Sequence, residues 1–232
     1  MAGAMVSFPS NGGTAEGYLA PPLPHEPSAA AAAKAPGVIV MQEWWGLNDN
    51  IKGIADRFAA EGYLALAPDL YHGKVTSEPD EAGKMMMSMR MDEAAQDMSG
   101  AFDYLKAHGA CTGKIGSVGF CLGGGLSLFV STLRPMDATV IYYGALPGVQ
   151  PDLSQLHGPV LGHYADHDDW ASPAAANALK QQISDAGKQV EFHTYAGTEH
   201  GFFNDTRPEV HKPAASRQSW NRTLAFYAKH LR

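Results

Sequence analysis

Cysteine is scarce in this sequence, since 232 residues contain two, Cys111 and Cys121. Two cysteines cannot build the disulfide framework on which small secreted domains depend. Long apolar runs are missing too. No stretch reaches the length of a transmembrane helix, and the N-terminus lacks the charged start and apolar run of a signal peptide. We therefore predict a cytoplasmic protein, because a reactive thiol stays reduced in that compartment.

Positive charge is in deficit, with 17 lysines and arginines against 24 aspartates and glutamates, a net charge of −7 and a pI near 5.7. This balance argues against nucleic acid or an anionic membrane as a partner. The sequence also lacks an internal repeat. Its hydrophobic fraction of 45% is enough for one core, and a chain of this length commonly forms one domain. We predict a single domain over residues 1–232, a monomer or weak homo-oligomer, that acts on a small molecule.

Apolar segments alternate with helical patterns along most of the chain. The N-terminal part predicts a hairpin (residues 4–8 and 15–20, turning at Asn11-Gly12-Gly13) and a Pro- and Ala-rich loop over 21–36. Further strands are predicted at 37–41, 63–67, 114–120, 138–142, 159–164 and 189–195. Helices are predicted at about 49–61, 79–108 (with a break), 122–133, 173–186 and 213–230. This alternation favours an α/β fold: a mostly parallel sheet with helices on both faces and ligand chemistry at the carboxyl ends of the strands.

The segment Gly119-Phe-Cys-Leu-Gly123, between a predicted strand and an apolar helix, is typical of a nucleophile elbow. Glycines on both sides leave room for the strained backbone of the residue at the turn, here Cys121. The free N–H groups and dipole of the helix favour a thiolate there. Free cysteines are usually small core residues, so this segment alone leaves the choice between a nucleophile and a buried thiol open. We interpret Cys111 as structural.

Asp168 and His200 each come just after a predicted strand, where such sheets place their sites. The order nucleophile, acid, histidine is that of α/β-hydrolases. His200 would move protons to and from the sulfur, and Asp168 would orient its ring. Asp166 or Asp169 competes for the role of the acid. The alternative interpretations are a surface histidine and a helix-capping aspartate.

Glu43 lies just beyond an apolar strand and before two tryptophans. Burial raises the pKa of a carboxyl group, so Glu43 could hold the thiol proton in the resting protein. A solvated strand-end carboxylate is the alternative. The backbone N–H groups of Leu122 and Trp44 are the predicted oxyanion hole, because this fold takes one donor after the nucleophile and one from the loop after an earlier strand.

Several large or polar side chains near these segments are candidates for substrate contacts, and core packing is the alternative for at least half of the aromatic ones: Trp45, Tyr71, Tyr142, Phe202, Asn204 and Arg207. One loop also collects metal-ligating groups, namely His163, Asp166, His167, Asp168 and Asp169. The helical spacing of histidines that is common in metal sites is missing from it, and a solvated polar loop explains it. We predict no metal and no cofactor.

Five separate motifs, in this order and spacing, make the sequence resemble the dienelactone hydrolase family from about Ala15 onward: Gln42-Glu43-x-x-Gly46, Pro68-Asp-Leu-Tyr71, Gly119-Phe-Cys-Leu-Gly-Gly124, Tyr142-Tyr-Gly144 and Glu199-His-Gly-Phe202. The resemblance implies a single-domain α/β-hydrolase fold with a Cys121–His200–Asp168 triad. It also implies that Glu43 pairs with the thiol until substrate displaces it.

The sequence departs from the members of this family that open dienelactone and hold the substrate carboxylate with two arginines. One of these arginines follows the catalytic histidine by four positions, where this chain has Asn204, with Arg207 three residues further on. The other lies in the helical region after the Pro-Asp-Leu-Tyr motif, where this chain offers Lys84 and Arg90. We therefore predict a hydrolase of carboxylic esters or lactones that works through an acyl-enzyme, with the acid and alcohol parts of the substrate left open.

Two hypotheses from other classes compete with this prediction. The first is a non-catalytic or redox-sensing member of the same fold, in which Cys121 binds a ligand or reports oxidation. The second is a metal-dependent hydrolase that uses the loop at residues 163–169. The order of Cys121, Asp168 and His200 argues against the first, since a binding protein has no need of it.

Overall fold

The computed structural model of the chain describes residues 3–10, 12–23, 34–145 and 148–232, so Asn11 of the predicted hairpin turn and residues 24–33 of the predicted loop lie outside the described residues. The strands are β1 (Ala4–Ser10), β2 (Gly13–Ala20), β3 (Ala35–Met41), β4 (Leu64–Pro68), β5 (Cys111–Phe120), β6 (Ala138–Tyr142), β7 (Val160–His167) and β8 (Val190–Glu199). The helices are α1 (Asp49–Ala60), α2 (Pro79–Ser88), α3 (Met91–Ala107), α4 (Leu122–Leu133), α5 (Pro173–Asp185) and α6 (Pro213–Leu231).

The strands of the described residues form one sheet in the order β1-β2-β4-β3-β5-β6-β7-β8. β1 pairs antiparallel with β2, and β2 with β4. β3 and β4, β6 and β7, and β7 and β8 pair in parallel. The predicted α/β fold with a mostly parallel sheet is confirmed. No helix in the described part of the chain is long and apolar enough to cross a membrane.

The chain forms two compact units, Met1–Gly116 and Ser117–Arg232, with the boundary inside β5. The single domain predicted from length and composition stays a prediction.

In the first unit, β3 and β4 are buried along their whole length, as expected of strands covered on both faces. Asn48 caps α1, because its side chain accepts a hydrogen bond from the Ile51 N–H at 3.2 Å. The helical region predicted at 79–108 does break, since Met89 and Arg90 are extended between α2 and α3.

In the second unit, α4 packs on β6, α5 on β7 and β8, and α6 on β6 and β7. One apolar cluster joins α4, α5, β6 and β7, with side chains of β8 packed against it, and includes Leu128, Ile141, Val160, Tyr164 and Ile183. Burial of each such side chain stabilises the fold by about 1.5–3 kcal/mol. This packing fixes the carboxyl ends of the strands β6, β7 and β8 relative to one another.

β7 and β8 are longer than the sequence predicts, because they continue to His167 and Glu199 and do not end at residues 164 and 195. Tertiary pairing explains the extra length. After an irregularity between Ala165 and His167, His167 pairs with Glu199. The carboxylate of Asp166 accepts hydrogen bonds from the N–H groups of Gly197 and Thr198 at 2.8 and 2.9 Å, which holds the two strand ends together.

Candidate active site

Cys121 lies between β5 and α4, so the structure has the predicted strand, turn and helix at this point. Its backbone is left-handed, with φ 56° and ψ −122°, and its N–H donates to the carbonyl of Tyr142 at 3.1 Å. The flanking glycines are needed for this turn. A Cβ on Gly119 would collide with the backbone of Gly123, and one on Gly124 would lie 2.6 Å from the Cα of Gly144. The buried thiol therefore sits at the N-terminus of α4, where helix N–H groups favour negative charge.

Asp168 and His200 follow directly after the paired residues His167 and Glu199. The strand pairing therefore places the two side chains next to each other. Nδ1 of His200 lies 2.8 Å from Oδ2 of Asp168. The same imidazole also makes a side-chain hydrogen bond to Cys121. The structure thus brings together the three residues that the sequence predicted as nucleophile, histidine and acid.

The three neighbouring aspartates of this loop have different surroundings. The second oxygen of Asp168 accepts from the N–H groups of Trp170 and Ala171, both at 2.8 Å, and its side chain is fully buried. Asp166 bonds the backbone of β8, and Asp169 is exposed. Of the three candidates that the sequence left open, Asp168 is the one hydrogen-bonded to His200.

The charge state of His200 is set by its two partners. Burial alone lowers the pKa of an imidazole, but the hydrogen bonds to Asp168 and Cys121 and the negative charge of these groups raise the pKa of His200 to about 10. Burial works to raise the pKa of Asp168, yet the bond to His200 and the two backbone N–H groups keep it below its ordinary value. At neutral pH the pair is an imidazolium and a carboxylate.

Tyr143 is a residue of this site that the sequence analysis missed. Its ring lies edge-on to that of His200, with 5.0 Å between centroids and 63° between planes. Tyr142, the tyrosine chosen from the sequence, is fully buried, stacks on Phe120 at 4.7 Å and bonds Thr223 through its hydroxyl. Its place is in the core, which was the alternative interpretation. The Tyr-Tyr-Gly motif at a strand end was the available signal, but nothing in it says which ring faces the site.

The other substrate-contact candidates of the second unit are mostly engaged in local structure. Phe202 is fully buried between Tyr143 and Tyr195. Asn204 is buried, and its side-chain oxygen accepts from the N–H and hydroxyl of Thr206 at 3.0 and 2.7 Å. Arg207 places both Nε and Nη2 2.8 Å from one oxygen of Glu209.

The first unit holds the remaining candidates at the end of β3. Glu43 is 3% exposed there, and the rings of Trp44 and Trp45 contact each other at 4.9 Å. The neighbouring Gln42 accepts from the N–H of Leu70 at 3.1 Å, which joins this segment to the one that carries Tyr71. The predicted roles of these residues in thiol pairing, oxyanion binding and substrate contact stay predictions.

Arg90, one of the cations considered for substrate recognition, is also in the first unit. Its guanidinium pairs with Asp92 at 2.8 Å and Glu93 at 3.2 Å at the start of α3. Arg90 is therefore engaged in local ion pairs at the N-terminus of α3.

The loop at residues 163–169 does not have the arrangement of a metal site. Its side chains point to different surroundings: His163 is buried in the sheet and His167 is exposed. Asp166 accepts a hydrogen bond from the backbone of β8, and Asp168 is hydrogen-bonded to His200. Within the described ranges, no group of three or more histidines, cysteines or acids is placed to hold a metal ion. The absence of a cofactor stays a prediction.

A model of the dienelactone hydrolase family matches residues 24–231. The chain belongs to the dienelactone hydrolase family. "Protein usf" of Aquifex pyrophilus is 36% identical over 238 residues and is matched over 99% of both chains. "Putative carboxymethylenebutenolidase" of Aquifex aeolicus (strain VF5) is 30% identical, over 99% of this chain and 100% of the relative.

The fold agrees with this assignment. The crystal structure of "Putative Dienelactone Hydrolase from Klebsiella pneumoniae subsp. pneumoniae MGH 78578" superimposes with a TM-score of 0.86 at 26% identity, over 97% of this chain and 98% of that one. The α/β-hydrolase fold expected from the resemblance is therefore confirmed. As a dienelactone hydrolase family member, the chain is one of a group of ester and lactone hydrolases whose substrates are small molecules.

Proposed function

We propose that this protein hydrolyses carboxylic esters or lactones with Cys121 as the nucleophile and His200 and Asp168 as its acid–base partners. The observation that carries the proposal is the chain of side-chain hydrogen bonds from Asp168 through His200 to Cys121. A nucleophile, a base that contacts it and a third group that orients the base are the parts that covalent acyl transfer needs.

In the first step the thiolate of Cys121 attacks the carbonyl carbon, and a carbon–sulfur bond forms. The alcohol oxygen then leaves with a proton from His200, which gives an acyl-enzyme and the free alcohol, or a tethered alcohol if the substrate is a lactone. The raised pKa of His200 supports this step, because the imidazolium carries the required proton at neutral pH.

In the second step water attacks the thioester, His200 accepts the proton of the water, and the thiolate leaves. Part of the raised pKa of His200 comes from its hydrogen bond and charge interaction with Cys121. Acylation removes the charge on sulfur, so the pKa of His200 falls and the imidazole becomes a base. Asp168 keeps the same nitrogen of the ring bonded in both steps.

The N–H of Leu122, at the first turn of α4, is our proposed oxyanion donor, because the first N–H groups of a helix have no partner within it. The N–H of Trp44 as the second donor and Glu43 as the resting partner of the thiol are carried over from the family resemblance.

A neutral substrate fits the cations of this chain better than a carboxylate-bearing one. The guanidinium groups of Arg207 and Arg90 already contact acidic side chains, and Asn204 is bonded within its own turn. We therefore expect a neutral lactone to be hydrolysed at least as efficiently, by kcat/KM, as its carboxylate-bearing analogue. A strong preference for the carboxylate would contradict this part of the proposal.

Three variants test the nucleophile and the base. We expect Cys121→Ala and His200→Ala each to lower kcat for small activated esters by at least about 10³-fold, because triad residues act as a unit. Cys111→Ala is the matched control, since Cys111 is also a buried free cysteine, and it should retain activity. Full activity of Cys121→Ala or His200→Ala would show that another group does the chemistry.

A further inference from the structure

Tyr143 has a backbone conformation that its residue type disfavours. Its φ is +37°, and a left-handed conformation at a residue other than glycine costs on the order of 1–3 kcal/mol unless the surroundings impose it. Strain of this kind concentrates at functional sites. Tyr143 follows the last residue of β6, so the strain occurs at the carboxyl edge of the sheet.

A buried hydrogen-bond network imposes this conformation. The N–H of Tyr143 donates to the carbonyl of His163 at 2.7 Å. The ring of His163 is fully buried and is bonded through Nδ1 to the hydroxyl of Tyr195 at 2.8 Å and through Nε2 to Thr223 at 3.0 Å. Thr223 also bonds the hydroxyl of Tyr142 at 2.9 Å. Both residues of the Tyr142–Tyr143 peptide are therefore connected to His163, Tyr143 directly and Tyr142 through Thr223.

The same stretch is joined to the nucleophile. The N–H of Cys121 donates to the carbonyl of Tyr142 at 3.1 Å, and the next N–H along, that of Tyr143, donates to β7. These two bonds connect the end of β5 to the end of β6, and the end of β6 to β7. Gly144 then passes within van der Waals range of Gly124 in the first turn of α4, leaving no room for a side chain at either position. The segment 142–144 is thus held between the nucleophile turn and the histidine.

The strained turn places the Tyr143 ring where it contacts the catalytic candidate. It is fully buried, 5.0 Å from the ring of His200 and 5.4 Å from that of Phe202, edge-on to both. One hydrogen bond to Asp168 fixes the direction of Nδ1 but leaves the imidazole able to rotate about that bond. The ring of Tyr143, packed edge-on against the imidazole, restricts this rotation and so helps to keep the imidazole bonded to the sulfur.

We infer that Tyr143 is a positioning residue for His200: its ring fixes the imidazole plane while Asp168 fixes one nitrogen. The inference rests on the proposed function, since it assigns Tyr143 a role in the same proton transfers. Tyr143 acts through His200 and not on the substrate.

Replacement of the ring tests this role. We expect Tyr143→Leu to lower kcat about 10- to 100-fold with KM little changed, because a displacement of about 1 Å of a catalytic group has an effect of this size. Tyr143→Phe keeps the ring and should retain activity. Phe203→Leu is the matched control, because Phe203 is a similarly buried ring whose contacts include Phe120, Tyr142 and Trp220.

A second measurement does not depend on turnover. The rate of Cys121 alkylation by iodoacetamide as a function of pH reports the thiolate–imidazolium pair, and Tyr143→Leu should move this profile while Phe203→Leu should not. If Tyr143→Leu does not fold, Tyr143→Gly removes the ring with a residue that adopts positive φ freely. Equal effects of Tyr143→Leu and Phe203→Leu, or a loss in Tyr143→Phe as large as in Tyr143→Leu, would overturn the inference.

Different outcomes would contradict the proposed function and the positioning role of Tyr143. If His200→Ala leaves both hydrolysis and alkylation unchanged, the proposed function is wrong. If His200→Ala abolishes them and ring removal at Tyr143 does not affect them, the triad stands and the positioning role is wrong.

Discussion

At the scale of single residues, backbone strain is concentrated beside the chemistry. Three residues other than glycine have positive φ in the described part of the chain, His72, Cys121 and Tyr143, and two of them belong to the candidate active site. Both sit directly after a strand and both are held by an N–H bond to the next strand's backbone. These backbone hydrogen bonds therefore stabilise Cys121 and Tyr143 in backbone conformations that are unfavourable by themselves.

Gly124 provides a residue-scale prediction about this backbone. We expect Gly124→Ala to lower the free energy of unfolding by about 1–3 kcal/mol, because the new Cβ meets the backbone of Gly144 and Tyr142 at 2.6 and 2.9 Å. Backbone cannot move aside as the end of a flexible side chain can. Urea unfolding measures the change, and kcat should fall with it because the segment 142–144 is displaced.

Gly53→Ala is the control for Gly124→Ala. Gly53 lies within α1, and a Cβ there has nothing within 4 Å. Alanine should therefore stabilise by roughly 0.5–1 kcal/mol, the usual difference between the two residues in a helix. A loss of stability at Gly53 equal to that at Gly124 would mean that the glycine content of helices, and not the close approach of two backbones, explains both results.

At the scale of elements, the pairing of β7 with β8 creates the acid–histidine pair. Neither Asp168 nor His200 is placed by its own loop alone. Each follows directly after one residue of the pair His167–Glu199. The Asp166 carboxylate holds the ends of β7 and β8 together through hydrogen bonds from the backbone of β8. A parallel pair of strands thus sets the distance between two residues that are 32 positions apart in the chain.

The attachment of β1 to α3 provides a prediction at this scale in the first unit. The hydroxyl of Ser10 donates to the carboxylate of Asp97 at 2.5 Å, and both side chains are buried. Ser10→Ala removes the donor and leaves a buried carboxylate oxygen without it, so we expect a loss of about 1–3 kcal/mol in the free energy of unfolding.

Ser7→Ala is the matched change on the same strand, where the side chain is exposed. It should alter the free energy of unfolding by less than about 0.5 kcal/mol. Denaturant unfolding of both variants gives the comparison. If the two variants lose the same stability, the effect belongs to β1 itself and not to the bond with Asp97.

At the scale of the whole molecule, two histidines with opposite pKa shifts contribute to the pH dependence of stability. Burial, with the positive charges of His193 and Arg222, keeps the pKa of His163 well below its ordinary value of 6.5. Below pH 6.5 the unfolded chain therefore gains a proton there that the folded chain does not, and stability falls as pH falls. The pKa of His200 is raised to about 10. Between pH 6.5 and 10 the folded chain keeps a proton on His200 that the unfolded chain has lost there, so the contribution of His200 to stability falls as pH rises.

We therefore expect the contributions of these two residues to give greatest stability near pH 6.5. Each contributes a slope of up to about 1.4 kcal/mol per pH unit on its own side. Unfolding free energies measured from pH 5 to pH 9 should show His163→Gln with a shallower acid side and His200→Gln with a shallower alkaline side. An acid side unchanged in His163→Gln would contradict the buried neutral state of that imidazole.

The sequence by itself determined the alternation of strands and helices, the turn at Cys121 and the positions of Asp168 and His200 after strands. These follow from local causes: the spacing of apolar residues, and glycines where a side chain would collide. The sequence also identified the family, because several short motifs agree in order and spacing. The roles of Glu43 and Trp44 stay predictions of that resemblance.

Only the tertiary structure decided which of three aspartates bonds His200, and which of two adjacent tyrosines contacts it. Asp166, Asp168 and Asp169 are chemically identical, and their roles depend on the register of β7 with β8. Tyr142 and Tyr143 differ because one continues a strand into the core and the other takes a left-handed turn that the carbonyl of His163 holds in place. Such choices depend on partners far along the chain, which no local pattern contains.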